Sequence, residues 1–385
     1  MKVNAAPINK TLWTKGFKAG VIFIIIGAIV TLNRLINGLG AVTNLSDGAP
    51  WGLWIAFDVV IGIALAAGGF TTAALVYVFN KGKYSPLVRP AVLTAMLGYG
   101  LAGFSIVLDV GRWWQIYNPV LPGNWQGNSA MFEVAICVMT YLAILVIEFI
   151  PTLTEQWRKK ETGFLKKISD FIEPVLNKII MFFILLGIVV STLHQSSLGS
   201  LMLLAKYKLQ PLWFSPWLPL MFLISAIAVG FPVVVVESSL SSRTFKRKPE
   251  THLLSGILKF TPWVLGFYLI LRLWDIVYYG KLSLLASKWG LLFAIEISLF
   301  AVIPIILLSL KSYKKDPSKL FTVSTLIIAG LMLNRFNTYL IAFKPRPGFS
   351  YFPSLGEISI SLMIISILFV GYKILANYFP VLEKE

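Results

Sequence analysis

Ten apolar runs follow one another along the 385 residues, each long enough to cross a hydrocarbon layer. Inside hydrocarbon every backbone N–H and C=O needs a partner within its own segment, so runs of this length fold as helices. They fall at residues 17–37, 52–79, 88–110, 130–150, 176–199, 217–240, 254–278, 288–310, 319–341 and 357–378. With 57% hydrophobic residues, the expectation is an all-α polytopic membrane protein of about ten transmembrane helices. The first run lacks a small-residue cleavage site; Asn33, Arg34 and Asn37 follow it, so it reads as a retained helix.

Basic residues set the orientation. Of 34 Lys and Arg, 24 lie at the N-terminus, in alternate loops and at the C-terminus. Both termini are therefore expected on the cytoplasmic side of a prokaryotic inner membrane. The net charge of +17 is read as topology and contact with anionic membrane lipid, not as a nucleic-acid surface. Residues 151–175 place Phe164, Leu165, Ile168, Phe171, Ile172 and Val175 on one helical face, with Lys160, Lys166, Lys167 and Asp170 elsewhere. That pattern predicts an amphipathic linker helix on the inner surface. The outer loops are instead rich in aromatics and prolines, as in WWQIYNPVLPGNWQGNSA, KYKLQPLWFSPW and KPRPGFSYFPSLGE. They read either as interfacial belts or as a platform for an external subunit.

Few ionisable side chains interrupt the runs. Asp58, Asp109, Glu133, His194, Glu237, Arg272, Asp275 and Glu296 stand out, with Tyr99 as a polar aromatic. Such groups are costly at membrane depth, so they are usually paired, solvated or in use. Helix direction puts Asp58, Tyr99, Asp109, Glu133 and His194 in the outer half. Tyrosine and histidine hydrogen-bond quinone carbonyls, and carboxylates exchange the protons of quinone reduction. Asp109 and Arg112 form an i, i+3 pair, read equally as structural or functional. Glu237 ends the run FPVVVVE on the inner side and is a candidate for a proton path. Glu148 lies at similar depth on its helix; either glutamate could be the mouth of a proton path, and Glu148, nearer the loop, reads rather as interfacial.

Metal chemistry is poorly supplied. The one cysteine, Cys137, cannot build an iron–sulfur cluster and reads as a core residue. The two histidines, His194 and His252, fall near opposite faces and cannot ligate one haem. A weak internal repeat links LDVGRWW at the end of the third run with LRLWDIVYY at the end of the seventh.

The segments APWGLWIAFDVVIGIALAAGGF, LTAMLGYGL, LDVGRWW, SAMFEVAICVM, STLHQSSLGSLMLLA and FPVVVVESSLSSR occur in an order that closely resembles the NrfD/polysulfide-reductase family of membrane subunits. Within it the likeness is best to the HybB-type subunits of periplasm-facing nickel–iron hydrogenases. The resemblance covers nearly the whole chain. It implies two four-helix bundles plus extra helices, grouped here as 16–150, a linker at 151–175, 176–310, and two further helices at 311–385. It implies a quinone, menaquinone expected, as substrate, with no haem or iron–sulfur cluster in this chain. The implied partners are an extracytoplasmic ferredoxin-like iron–sulfur subunit and catalytic hydrogenase subunits. Quinone-binding roles carry over to Tyr99, Glu133 and His194, with Asp58 beside them, and proton-path roles to Glu133 and Glu237. Related subunits also serve sulfur, molybdenum and multihaem cytochrome complexes. A proton-coupled secondary transporter is the competing reading from another class, because it too needs buried carboxylates.

Overall fold

The computed structural model describes residues 5–159, 163–313 and 315–384. Among these, ten helices are long and apolar enough to span a membrane. They are α1 Lys15–Asn37, α2 Trp54–Val78, α3 Gly82–Asp109, α4 Ala130–Arg158, α5 Phe164–Leu203, α6 Leu218–Phe245, α7 Thr251–Tyr278, α8 Lys288–Ser309, α9 Pro317–Ile341 and α10 Leu355–Tyr378. An even number of crossings returns the chain to its starting face. Strands β1 (Ala5–Ala6) and β2 (Leu382–Glu383) pair antiparallel there and tie the two ends together.

Local sequence explains the helix ends. Ser129 opens α4 by accepting the Phe132 amide. Ser354 and Glu357 form a reciprocal capping box at α10. Helix α3 stops at Asp109 because Val110 turns extended. Stretches of π-helix interrupt α2 at Trp54–Ile61, α8 at Ser298–Val302 and α9 at Asn337–Ile341. Such widenings displace side chains from the regular helical face and are frequent at functional sites.

The helices pack as two groups with a flanking pair. Helices α2–α5 pack on one another, as do α6–α9, and α2 and α6 join the groups. That joint needs small residues: a β-carbon on Gly230 would collide with Thr71 Oγ1. The flanking helices are α1 and α10, which pack together. Gly27 faces Met363 so closely that a β-carbon there would overlap Met363 Cβ.

This packing differs from the grouping expected at 16–150 and 176–310 with two extra C-terminal helices. The extra helices are the first and the last, and α9 belongs with α6–α8. The expected linker at 151–175 is not a separate helix. Its first part extends α4 to Arg158, and residues 164–175 are the start of the 40-residue α5. Helical hydrogen bonding continues past the thickness of the hydrocarbon, so apolar length alone ends these elements too early. Lys160 of the expected linker lies outside the described residues.

Candidate functional site

Three helices of the first group bring Tyr99, Glu133 and His194 to one seam. Tyr99 on α3 is fully buried, and its hydroxyl lies 3.4 Å from Ser191 Oγ on α5. One turn along α5, the His194 ring stands 5.6 Å from the Tyr99 ring. A further turn on, Ser197 donates to Glu133 Oε1 on α4. Ser191, His194 and Ser197 thus share a stripe at i, i+3 spacing, the face that α5 turns toward α3 and α4. Gln195 fixes α5 against α2 by donating to the Ile63 carbonyl at 2.9 Å.

Two features make this seam suited to a ligand. His194 is fully buried, and neither ring nitrogen has a hydrogen-bond partner among the described residues. A buried polar group without a partner is rare and calls for an explanation. Glu133 sits in the first turn of α4 with an exposed side chain, so the seam is open at that end. From the α3 and α5 termini by helical rise, Tyr99 and His194 lie roughly 15 Å in from the face opposite the termini.

Asp58 does not join this cluster. It is buried on α2, accepts Ser361 Oγ of α10 at 2.6 Å, and leaves Oδ1 without a partner among the described residues. It lines a largely apolar cavity of about 710 Å³ between α1, α2, α3, α6 and α10. Glu237 lines the same cavity, with neither carboxylate oxygen hydrogen-bonded among the described residues. Helix α3 contributes Thr94, Gly98 and Leu101 to the lining, whereas Tyr99 points elsewhere. The π-helical stretch of α2 turns Asp58 toward α10, which depth along the helix does not reveal. Below Glu237, a water-sized polar chamber of about 20 Å³ is lined by Arg247, Glu250 and Glu383 among others.

The expected Asp109–Arg112 pair is absent among the described residues. Arg112 lies beyond the end of α3 on non-helical backbone, so the i, i+3 geometry is lost. The cation near Asp109 is Arg34 of α1. Arg34 itself is buried and donates to the carbonyls of Leu108 at 2.7 Å and Val110 at 2.5 Å. It satisfies the carbonyls that the α3 terminus leaves open.

The second helix group holds a polar centre to which the sequence alone assigns no role. Fully buried Glu296 accepts from Trp213 Nε1 at 2.6 Å, Asn334 Nδ2 at 2.7 Å and Asn337 Nδ2 at 2.7 Å. Arg335 donates to Asn334 and Ser225 and covers the Phe222 ring at 3.6 Å. Asp275 pairs with Lys281 at 2.6 Å. Asn334, Arg335 and Asn337 escape sequence reasoning because they fall where a hydropathy profile reads a span end.

The loops opposite the termini expose Trp114, Tyr117, Trp125, Tyr207 and Phe352. Two of these loops are tied together, with Gln210 N donating to Ala342 O and Lys344 N to Lys208 O. Trp213 is turned inward onto Glu296, and Tyr351 inward onto Glu357.

Comparison with known proteins identifies the family. The family model for polysulphide reductase, NrfD, matches residues 41–342. The chain belongs to the NrfD family. It is 37% identical over 364 residues to a probable Ni/Fe-hydrogenase 2 b-type cytochrome subunit of Escherichia coli, covering 93% of this chain and 90% of that one. It is 26% identical to the integral membrane subunit of a menaquinone reductase from Nitratidesulfovibrio vulgaris, covering 93% and 89%. A selenate reductase subunit of Mesobacillus selenatarsenatis is 22% identical over 94% and 92%. The NrfD membership and the ten apolar helices make this a multi-pass protein of the prokaryotic inner membrane.

The cytochrome name of the E. coli relative raises the question of haem. The donor set does not fit one held by two histidines. His194 lies inside α5 toward the face opposite the termini, and His252 begins α7 at the face that carries them. Among the described residues, no group of three or more His, Cys, Asp and Glu side chains is placed to hold a metal ion.

Proposed function

We propose that this chain is the quinone-reactive membrane subunit of a respiratory oxidoreductase, in the first instance a nickel–iron hydrogenase. It passes electrons between an extracytoplasmic iron–sulfur subunit and menaquinone. The single observation that carries this reading is the convergence of Tyr99, His194 and Glu133 on one seam that opens at Glu133. Tyr99 and His194 are disposed to hydrogen-bond the quinone carbonyls, and Glu133 to exchange a proton with the oxygen that gains or loses it. The names of the hydrogenase and menaquinone reductase relatives support this chemistry.

The termini face the cytoplasm in this reading, following the basic loops. The aromatic loops then face outward and form the docking surface for the iron–sulfur partner. Aromatics are enriched in the cores of protein interfaces, which suits the exposed rings on that face. Asp58 and Glu237 bracket a cavity apart from the quinone seam, and Glu237 is assigned to proton transfer from the cytoplasmic side into that cavity, separate from the protons of the quinone itself.

A quinone-binding titration tests the assignment. The purified complex is titrated with a short-chain naphthoquinone, and Tyr99→Phe and His194→Ala are compared with the unaltered protein. Weakened binding in both variants supports the site. Unchanged affinity in both refutes it.

A further inference from the structure

The Tyr99 seam continues downward along α4 and α5, on a different face of α3 from the Asp58–Glu237 cavity. Tyr141 of α4 is fully buried and stands edge-on to Tyr99 with ring centroids 4.5 Å apart. Ser191 neighbours both tyrosine hydroxyls. One turn further along α5, position 187 is glycine. A β-carbon there would lie 2.9 Å from Glu148 Oε1 and 3.4 Å from Tyr141 Cε2. The missing side chain is what lets the Glu148 carboxyl approach the Tyr141 ring.

Glu148 is half-buried, and among the described residues no hydrogen bond or ion pair holds it. Two turns below on the same face of α4 lies Glu155, which pairs with Arg89 at 2.7 Å. Those two side chains are 35% and 23% exposed, so the seam reaches water at the termini face. Tyr77, Arg89 and Lys159 also face this stretch, with Lys159 Nζ 3.9 Å from Glu155. A carboxyl group thus stands between that water and the hydroxyls of Tyr141, Ser191 and Tyr99. Glu237, by contrast, opens onto a cavity whose lining includes none of Tyr99, Ser191 or His194.

We propose that Glu148 is the proton relay of the quinone site, fed from the termini face past Glu155. The inference rests on the quinone reading of the Tyr99 cluster. Reduction of a quinone to quinol takes two electrons, supplied by the iron–sulfur partner, and two protons. Glu133 exchanges one of these protons, and the other arrives through Tyr99: the Glu148 carboxyl gives up its hydrogen toward Tyr141. The hydroxyls of Tyr141, Ser191 and Tyr99 each release one proton and accept one, ending as they began. The quinone oxygen gains a proton, and the Glu148 carboxylate is refilled from the cytoplasmic side. Quinol oxidation runs every transfer in reverse.

The test uses the whole complex in inverted membrane vesicles. Hydrogen drives reduction of a short-chain naphthoquinone while a pH dye follows proton uptake at the exposed cytoplasmic face. Glu148→Gln is expected to slow coupled uptake by about 100-fold, the scale of a lost general acid, with naphthoquinone affinity unchanged. Glu148→Asp should restore part of the rate. Gly187→Ala keeps the titratable group but pushes it off Tyr141, and should slow uptake as well. If Glu148→Gln does not assemble, Gly187→Ala decides. Full uptake in these variants with normal affinity overturns the relay and leaves the quinone site standing. Failure of the unaltered complex to bind the naphthoquinone overturns both.

Discussion

Asn337 donates a 2.7 Å hydrogen bond to Glu296 in the second helix group, the place that Ser197 takes toward Glu133 in the first. The likeness extends to neighbours. Asn334 precedes Asn337 by three residues and lies 3.5 Å from the Tyr268 hydroxyl, as His194 precedes Ser197 and faces Tyr99. Tyrosine, glutamate and the i, i+3 pair come from the third, fourth and fifth spans in one case and the seventh, eighth and ninth in the other. The repeat hinted at by LDVGRWW and LRLWDIVYY is thus carried by polar contacts more than by sequence. The two centres differ in accessibility. Glu133 is exposed and accepts one side-chain donor, whereas Glu296 is sealed and accepts three.

That difference separates a structural carboxylate from a reactive one. Glu296→Ala leaves three buried N–H donors without an acceptor, each costing about 1–3 kcal/mol. Thermal unfolding of the detergent-solubilised protein should fall by many degrees for Glu296→Ala and hardly move for Glu133→Ala. Equal shifts in the two variants would contradict the distinction.

Glu133→Gln preserves shape and removes the exchangeable proton. Quinone-linked turnover should drop by about 100-fold while the subunit still assembles. The check is hydrogen-driven naphthoquinone reduction in membranes matched for the amount of this protein. Unimpaired turnover would remove Glu133 from the chemistry.

The end of α3 rests on Arg34. Its guanidinium hydrogen bonds to Leu108 and Val110, as bonds to a charged donor, are worth about 1.5–3 kcal/mol each. Arg34→Ala should therefore destabilise the protein markedly. Arg112 is exposed, and Arg112→Ala should stay within about 0.5 kcal/mol. Comparing the two melting curves decides the matter; a larger loss for Arg112→Ala would restore the ion pair that sequence spacing suggests.

With His194 and His252 near opposite faces, the chain is predicted to carry no b-type haem. A reduced-minus-oxidised spectrum of the protein, freed of cytochrome partners, should lack an α-band. A stoichiometric b-type signal would mean that other side chains ligate it.

Hydropathy and charge make the ten spans legible, because length and the demand for internal hydrogen bonds leave helices little alternative. They also place Tyr99, Glu133 and His194 at compatible depths. What depth does not carry is azimuth, the direction in which a helix turns each residue. Asp58 shares the outer half with Tyr99 yet points to α10. Glu148 and Glu237 lie at similar depth, and only packing places Glu148 on the Tyr141 seam. Arg34 reads in the sequence as no more than the end of the first span, because its partners lie more than seventy residues away. The pairing of α1 with α10 is hidden for the same reason, since it joins opposite ends of the chain.

Whether the quinone headgroup lies among Tyr99, Glu133 and His194 is open to photo-crosslinking. A naphthoquinone carrying a photoreactive group on its ring is bound to the full complex, illuminated, and the labelled peptides are mapped. Label is expected on α3, α4 and α5 around these three residues, competed away by unmodified naphthoquinone. Label confined to the cavity between Asp58 and Glu237, or to the Glu296 centre, would place the headgroup elsewhere and overturn the assignment.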